Sequence, residues 1–277
     1  MDFWENKRVW VIGASSGIGE GLLKCLVREG AKVIISARRT ERMEELTREI
    51  PSSRVRILPL DVELHQSLDV KTAEAWKIFE GLDVVFLNAG ISVRDLATDT
   101  SLAMEKKLMD INFWGPVVVA KALMTLKPAD QSLQIAITSS LSGKYGVPKL
   151  ASYAASKHAL HGYFESLRAE TAQSNVMIHL VIPGFVKTEI TVAGFKGDGS
   201  PNGKMQQALQ RGMDPEKCAR LILKGVQQGK EEFVVGGMER LTVWFNRIFP
   251  SLNRRLIRSN PLQKLQQIKN FFRIKKD

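Results

Sequence analysis

Residues 8–30 read RVWVIGASSGIGEGLLKCLVREG. The stretch 8–13 is a near-continuous apolar run, as expected of a strand covered on both faces. It stops at Gly13, passes through a short polar turn, and resumes at helical spacing over 17–29. This strand, glycine turn and helix make a ready anion site, because free backbone amides and the helix N-terminus both favour a phosphate. Glycine is required where a Cβ would block the phosphates or the helix–strand contact. Gly13, Ser15, Ser16, Gly17, Ile18 and Gly19 are therefore candidate nucleotide-binding residues. The spacing is GxxxGxG rather than GxGxxG. The alternative is a glycine-rich turn with no ligand.

The same alternation continues outward. Strand-like runs lie at 31–37, 54–62, 82–90, 133–140, 176–184 and 231–237. Helical stretches are expected at 64–79, 102–126, 152–172 and 214–228. Strand–helix alternation implies an α/β fold with a seven-stranded, doubly wound parallel sheet flanked by helices. We assign 1–237 to this domain and 238–277 to a basic, amphipathic C-terminal extension.

The chain has 277 residues and a net charge of +11. Residues 239–277 hold ten Lys and Arg against Glu239 and Asp277, so most of that excess sits in the tail. The body gives no reason to expect a nucleic-acid partner. Two cysteines, Cys25 and Cys218, make no disulfide framework, so a reducing, cytoplasmic setting is expected. No run of 18 apolar residues suggests a spanning helix, and the start lacks the pattern of a signal peptide.

The second strand ends Ser36-Ala37-Arg38-Arg39. An acid there would bind the adenine ribose hydroxyls of NAD, whereas arginine pairs with the 2′-phosphate of NADP. We expect NADP. The alternative is two solvated arginines at a helix start, paired with Glu41 and Glu44. Farther on, Tyr153-Ala-Ala-Ser-Lys157 puts a phenol and an ammonium one helical turn apart, with Ser140 upstream. An ammonium beside a buried phenol can bring it below its usual pKa of about 10, which makes a proton donor for carbonyl chemistry. His65, His158, His161 and His179 lack metal-ligand spacing, so no metal is expected. His158 and His161 read as surface or interface residues. Ser139, Ser142 and Ser156 read as making local backbone hydrogen bonds.

Taken in order, these residues resemble the short-chain dehydrogenase/reductase family from about residue 9 to 237. The resemblance rests on the glycine motif, Asp61-Val62, Asn88-Ala89-Gly90, Asn112, Ser140, the Tyr153/Lys157 pair and Pro183-Gly184-Phe-Val-Lys-Thr188. Ile12 and Leu87 depart from it, where many members have Thr and Asn. The resemblance implies a Rossmann-type fold and an NADP(H)-dependent oxidoreductase. Tyr153 would exchange a proton with the substrate oxygen. Lys157 would hold the nicotinamide ribose and lower the pKa of Tyr153. Ser140 would hydrogen-bond the substrate, and Asn112 would hold a water linking Lys157 to solvent. Asp61 and Val62 would line the adenine site, with Asn88, Ala89 and Gly90 also against the cofactor. Pro183, Gly184, Val186 and Thr188 would position the nicotinamide amide. An inactive NADP-sensing module on the same fold is the alternative.

The family covers its substrate with the segment after strand six, here 185–213. It is glycine-rich, so we expect a mobile loop, and its Phe185, Ile190, Val192, Phe195 and Met205 suit a hydrophobic substrate. Phe185 is a candidate substrate contact beside Ser140 and Tyr153. The tail interleaves apolar and basic residues, and Asn260-Pro261 looks like the start of a final helix. Such a tail fits either packing on the body or contact with an anionic membrane, as in a peripheral reductase of lipid metabolism. The long helices at 102–126 and 152–172 resemble those that pair between subunits in the family, so a homodimer or homotetramer is expected.

Overall fold

In β1 (Arg8–Ile12), alternate side chains enter opposite cores. Val9 and Val11 face Leu22, Leu26, Cys218 and Ile222, whereas Trp10 and Ile12 face Leu68, Ala75, Val119 and Leu123. One strand thus needs helices on both of its sides, and the chain supplies them. The structure is a computed structural model that describes residues 3–204 and 207–259.

The strands after β1 are β2 (Lys32–Ser36), β3 (Val55–Ile57), β4 (Val84–Leu87), β5 (Leu133–Thr138), β6 (Val176–Pro183) and β7 (Glu232–Val235). They form one seven-stranded parallel sheet in the order β3-β2-β1-β4-β5-β6-β7. The helices are α1 (Gly17–Arg28), α2 (Thr40–Thr47), α3 (His65–Ile78), α4 (Leu102–Met109), α5 (Gly115–Leu126), α6 (Ala151–Glu170), α7 (Gln207–Gln210), α8 (Pro215–Gln227), α9 (Leu241–Ile248) and α10 (Pro250–Ser259). Helices α1 and α8 cover one face, and α3, α5 and α6 the other.

Chain order reverses between β1 and β4, and a crevice opens beyond the carboxyl ends of strands at such a point. Register pairs Ile12 with Leu87, so Gly13 and Asn88-Ala89-Gly90 leave the sheet side by side. Gly13 has φ +87°, and a Cβ there would stand 2.7 Å from the Ala89 backbone.

Most expected strands prove longer than the paired segments: residues 58–62 and 88–90 leave the sheet as loops into the crevice. The expected single helix over 102–126 is interrupted by a π-turn, Asp110–Trp114. Pro116 follows, and in an α-helix its ring would clash with the carbonyl of Asn112. The widened turn, with the Gly115 N–H bonding the Asp110 carbonyl, accommodates it.

The described parts of the segment 185–213 are held by backbone hydrogen bonds. The Phe195 N–H donates to the Ser92 carbonyl at 2.9 Å, the Arg94 N–H to the Phe195 carbonyl at 3.1 Å, and the Met213 N–H to the Phe185 carbonyl at 2.7 Å. The Phe195 ring packs against the main core. Its glycines permit close approach: a Cβ on Gly194 would meet the Ser92 carbonyl oxygen at 2.6 Å. Met205 and the helix expected at Asn260-Pro261 lie outside the described residues. Among the described residues no helix is long and apolar enough to cross a membrane.

Candidate active site

One cleft of about 840 Å³ runs along the carboxyl ends of the strands. It is lined by Gly13, Ser15, Ser16, Gly17 and Ile18 from the glycine turn, by Arg38 and Arg39 after β2, and by Asp61 and Val62 after β3. Asn88, Ala89 and Gly90 follow β4; Ser140, Tyr153 and Lys157 form the next wall; Pro183, Gly184, Phe185, Val186 and Thr188 close the far side. Gly19 and Asn112 stand behind the lining residues. A Cβ on Gly19 would fall on the Gly13 carbonyl oxygen, so this glycine seats α1 against the turn.

Ser16 precedes α1 without capping it through its side chain. The first-turn amides of α1 therefore lack the usual side-chain acceptor. The Arg39 guanidinium donates to the Ser15 and Ser16 hydroxyls, each at 3.1 Å, and lies 3.9 Å from Glu189. Arg39 is thus neither freely solvated nor paired with Glu41 or Glu44, as one reading of the sequence had it. Ser36 is fully buried and accepts a 2.8 Å hydrogen bond from the Trp10 indole N–H.

Tyr153 and Lys157 lie one turn apart in α6, with the Lys157 Nζ 5.9 Å from the centre of the phenol ring. The Ser140 hydroxyl lies beside the Tyr153 phenol on the cleft wall, near enough to draw its pKa down. Lys157 is buried and donates to the Thr138 carbonyl at 2.8 Å. Burial lowers its pKa from 10.5 to about 8. Burial raises the Tyr153 phenol, and Ser140 offsets part of that rise. A lowering of Tyr153 was expected from Lys157, but burial sets the net direction and it is upward. Lys157 is buried and Tyr153 partly so, and desolvation favours the neutral form of each.

Asn112 sits at the centre of the π-turn, fully buried. Its Oδ1 accepts from the Ile91 N–H at 2.8 Å, and its Nδ2 donates to the Ile91 carbonyl at 3.0 Å and the Ser156 hydroxyl at 3.1 Å. It thereby ties the loop after β4 to α6. A Cβ on Gly90 would lie 3.1 Å from Asn112 Oδ1 and 3.6 Å from Lys157 Nζ, so this glycine keeps the two polar groups adjacent.

Two readings of neighbouring residues need correction. Ser139 does not bond locally; its hydroxyl meets His161 Nε2 at 2.8 Å. His161 is buried rather than at the surface, with Nδ1 3.3 Å from Glu232 and 3.7 Å from Glu165. These three are the one group among the described residues with metal-like spacing. The Lys144 ammonium already stands 2.7 Å from Glu232, so a cation is in place.

The sequence did not reveal that the tail reaches the cleft. Thr242, Phe245, Asn253, Leu256 and Ile257, from α9 and α10, line its open end with Tyr145. The Tyr145 and Thr242 hydroxyls lie 2.7 Å apart, and Asn246 donates to the Lys144 carbonyl at 3.1 Å. Glu239 accepts from the Phe185 N–H at 3.1 Å and the Gly237 N–H at 2.9 Å. The amphipathic spacing was the only signal; the partner of the apolar face was not encoded locally. Phe195, expected against the substrate, packs on the core instead. Arg94 is a further lining residue that the motifs did not mark.

Comparison with known proteins agrees with this geometry. The family model described as short chain dehydrogenase matches residues 7–198. A Drosophila melanogaster protein named "Dehydrogenase/reductase SDR family protein 7-like" is 32% identical over 254 residues, covering 89% of this chain and 78% of that protein. A Burkholderia phymatum short chain dehydrogenase/reductase, solved with NAD, superposes with a TM-score of 0.80 at 18% identity, covering 91% of this chain and 96% of that one. An alcohol dehydrogenase from Thermococcus sibiricus, solved with 5-hydroxy-NADP, gives 0.68 at 23% identity, covering 84% and 97%. Those two likenesses concern the fold, whereas the family match is at the level of sequence. The chain belongs to the short-chain dehydrogenase/reductase family of oxidoreductases.

Proposed function

We propose that the cleft reduces a ketone or aldehyde to an alcohol with NADPH, on a substrate with an apolar body. The observation that carries this reading is Ser140, Tyr153 and Lys157 together on one wall of the cleft that the glycine turn opens, with Tyr153 and Lys157 one helical turn apart.

The residues fit a dinucleotide. The uncapped start of α1 offers amides to a pyrophosphate, and glycines stand where a Cβ would intrude. Gly13, Ser15, Ser16, Gly17, Ile18 and Gly19 would form that cradle. Arg38 and Arg39 would take the 2′-phosphate, and Asp61 and Val62 the adenine. Asn88, Ala89 and Gly90 would lie along the middle of the cofactor. Lys157 and Tyr153 would hold the nicotinamide ribose, and Pro183, Gly184, Val186 and Thr188 the amide. When bound, the reduced nicotinamide supplies a hydride to the carbonyl carbon.

The protein's part is to manage the charge that then builds on the carbonyl oxygen. Ser140 donates a hydrogen bond to it, and Tyr153 transfers the phenolic proton. The burial-raised phenol is protonated at neutral pH, which suits the reductive direction. The Lys157 ammonium, still mostly charged below about pH 8, stabilises the phenolate left behind. Phe185, Ile190, Phe245 and Ile257 offer the apolar body a dry wall.

The test is NADPH oxidation over a panel of hydrophobic ketones and aldehydes, with Tyr153→Phe and NADH alongside. Turnover with NADPH that vanishes in Tyr153→Phe, which still binds nucleotide, is the expected result. Tight NADPH binding with no turnover on any compound would favour the sensing module. Faster turnover with NADH would refute the role given to Arg38 and Arg39.

A peripheral membrane setting next to the cytoplasm is a second reading, favoured by the outer face of the tail. Leu241, Trp244, Ile248, Phe249 and Leu252 are exposed there beside Arg247, Arg254 and Arg255. Because the opposite face lines the cleft, a hydrophobic substrate could enter from lipid. Trp244→Glu/Ile248→Glu should abolish sedimentation with anionic liposomes and leave turnover of a soluble ketone intact; unchanged sedimentation sinks this reading. We also propose a homodimer or homotetramer paired through α4, α5 and α6, which a monomeric mass by light scattering would remove.

A further inference from the structure

Arg94 lies three residues after Ile91, where Asn112 clamps the loop, and it lines the cleft. Its own backbone N–H is bound to the covering segment at Phe195, and the next residue, Asp95, donates its N–H to the Lys149 carbonyl at 3.1 Å. Lys149 precedes α6, which carries Tyr153. Arg94 therefore stands at the substrate end, away from the Arg38/Arg39 pair after β2.

Among the described residues its guanidinium has no hydrogen-bond or ion-pair partner. Burial is the one influence on it, and it lowers the pKa. The nearby acids are otherwise engaged. Asp95 accepts from the Gly197 N–H at 3.2 Å, Asp99 from the Thr98 hydroxyl at 2.9 Å, and Glu189 faces Arg39. The cleft that it lines carries apolar residues as well, among them Val147, Pro148, Leu150, Ile190, Phe245 and Ile257. A partly buried guanidinium without a partner carries a desolvation cost, which is relieved when a ligand brings the counter-charge. Its planar fork matches carboxylate and phosphate oxygens two at a time.

We propose that Arg94 is a head-group site, taking a carboxylate or phosphate ester carried by an otherwise apolar carbonyl substrate. The proposal rests on the reductase reading for what happens to the carbonyl, but not for the anion site itself. It narrows the substrate class from hydrophobic carbonyls to anionic amphiphiles.

The test is calorimetric titration of octyl phosphate, octanoate and octanol into the wild type, Arg94→Gln and Arg94→Lys. At least one anion should bind the wild type about tenfold or more tighter than octanol, and the tighter of the two names the head group. Arg94→Gln should weaken that anion about 10- to 100-fold and leave octanol and NADPH binding unchanged, on the scale of a charge-assisted pair. Arg94→Lys, which keeps the charge and loses the fork, should fall between. Equal wild-type binding of octanol and both anions overturns the proposal, as does loss of octanol and anion together in a variant that still binds NADPH. Anion binding through Arg94 with no turnover of any carbonyl would leave the head-group site standing and sink the reductase reading. Turnover of neutral ketones without any anion preference would do the reverse.

Discussion

Replacing Lys157 with methionine should make the protein more stable at neutral pH while removing its activity. The lysine is 4% exposed, and burial holds its pKa at about 8 instead of 10.5. That fall corresponds to about 3 kcal/mol of preference for the neutral amine, at about 1.4 kcal/mol per pH unit. Methionine fills a similar unbranched volume without a charge to desolvate. It loses the bond to the Thr138 carbonyl, which offsets about 1 kcal/mol. The net gain is then about 2 kcal/mol, or about 4–8 °C in Tm for a chain of this size. The pH dependence is diagnostic. Because the folded pKa is depressed, the unfolded chain binds more protons between about pH 8 and 10.5, so wild-type stability rises across that window. The methionine variant has no such rise, so its advantage is full below pH 8 and gone above 10.5. Urea denaturation of both proteins at pH 7, 9 and 10.5, without added nucleotide, measures this. A variant less stable than wild type at pH 7, or an advantage that does not shrink with pH, refutes the reasoning.

Three further outcomes follow from the same structure. Gly19→Ala puts a methyl on the Gly13 carbonyl oxygen, so α1 must shift; thermal melts should show a loss of about 1–3 kcal/mol, with nucleotide affinity falling as well. Asn112→Ala leaves the Ile91 N–H and carbonyl without their clamp and should cost about 2–4 kcal/mol, while hydrogen exchange should quicken at Ile91 and along the start of α6. His161 and Lys144 hold the Glu232 carboxyl down to about 2 from 4.5, so its stabilising share is full above pH 4.5 and is lost as pH falls through 2; Glu232→Gln should flatten acid unfolding over that window. An acid-unfolding curve identical to wild type would show that this cluster contributes nothing.

Sequence by itself determined the sheet and the order of its parts. Runs such as 8–13 and 176–184 are apolar on both faces, a property of each short segment that only a doubly covered parallel strand satisfies. Glycines at 13, 17 and 19, and the fixed offset of Lys157 from Tyr153, are legible for the same reason. Their chemistry depends on spacing within one turn or one helix. Tertiary structure decided whatever depends on neighbours distant in the chain. The direction of the Tyr153 pKa turned on how deeply α6 is buried, which the sequence of α6 does not state. The break at Asn112 followed from a local proline, yet its use in tying Ile91 to Ser156 required three elements to meet. Glycines at 194 and 197 suggested freedom, but the backbone of Ser92 and Asp99 approaches so closely there that no Cβ would fit. The amphipathic pattern of α9 and α10 said that one face must be covered, not by what. Only the fold brought Tyr145, Thr242, Phe245 and Ile257 to the cleft, and left Arg94 on its lining with its charge unanswered.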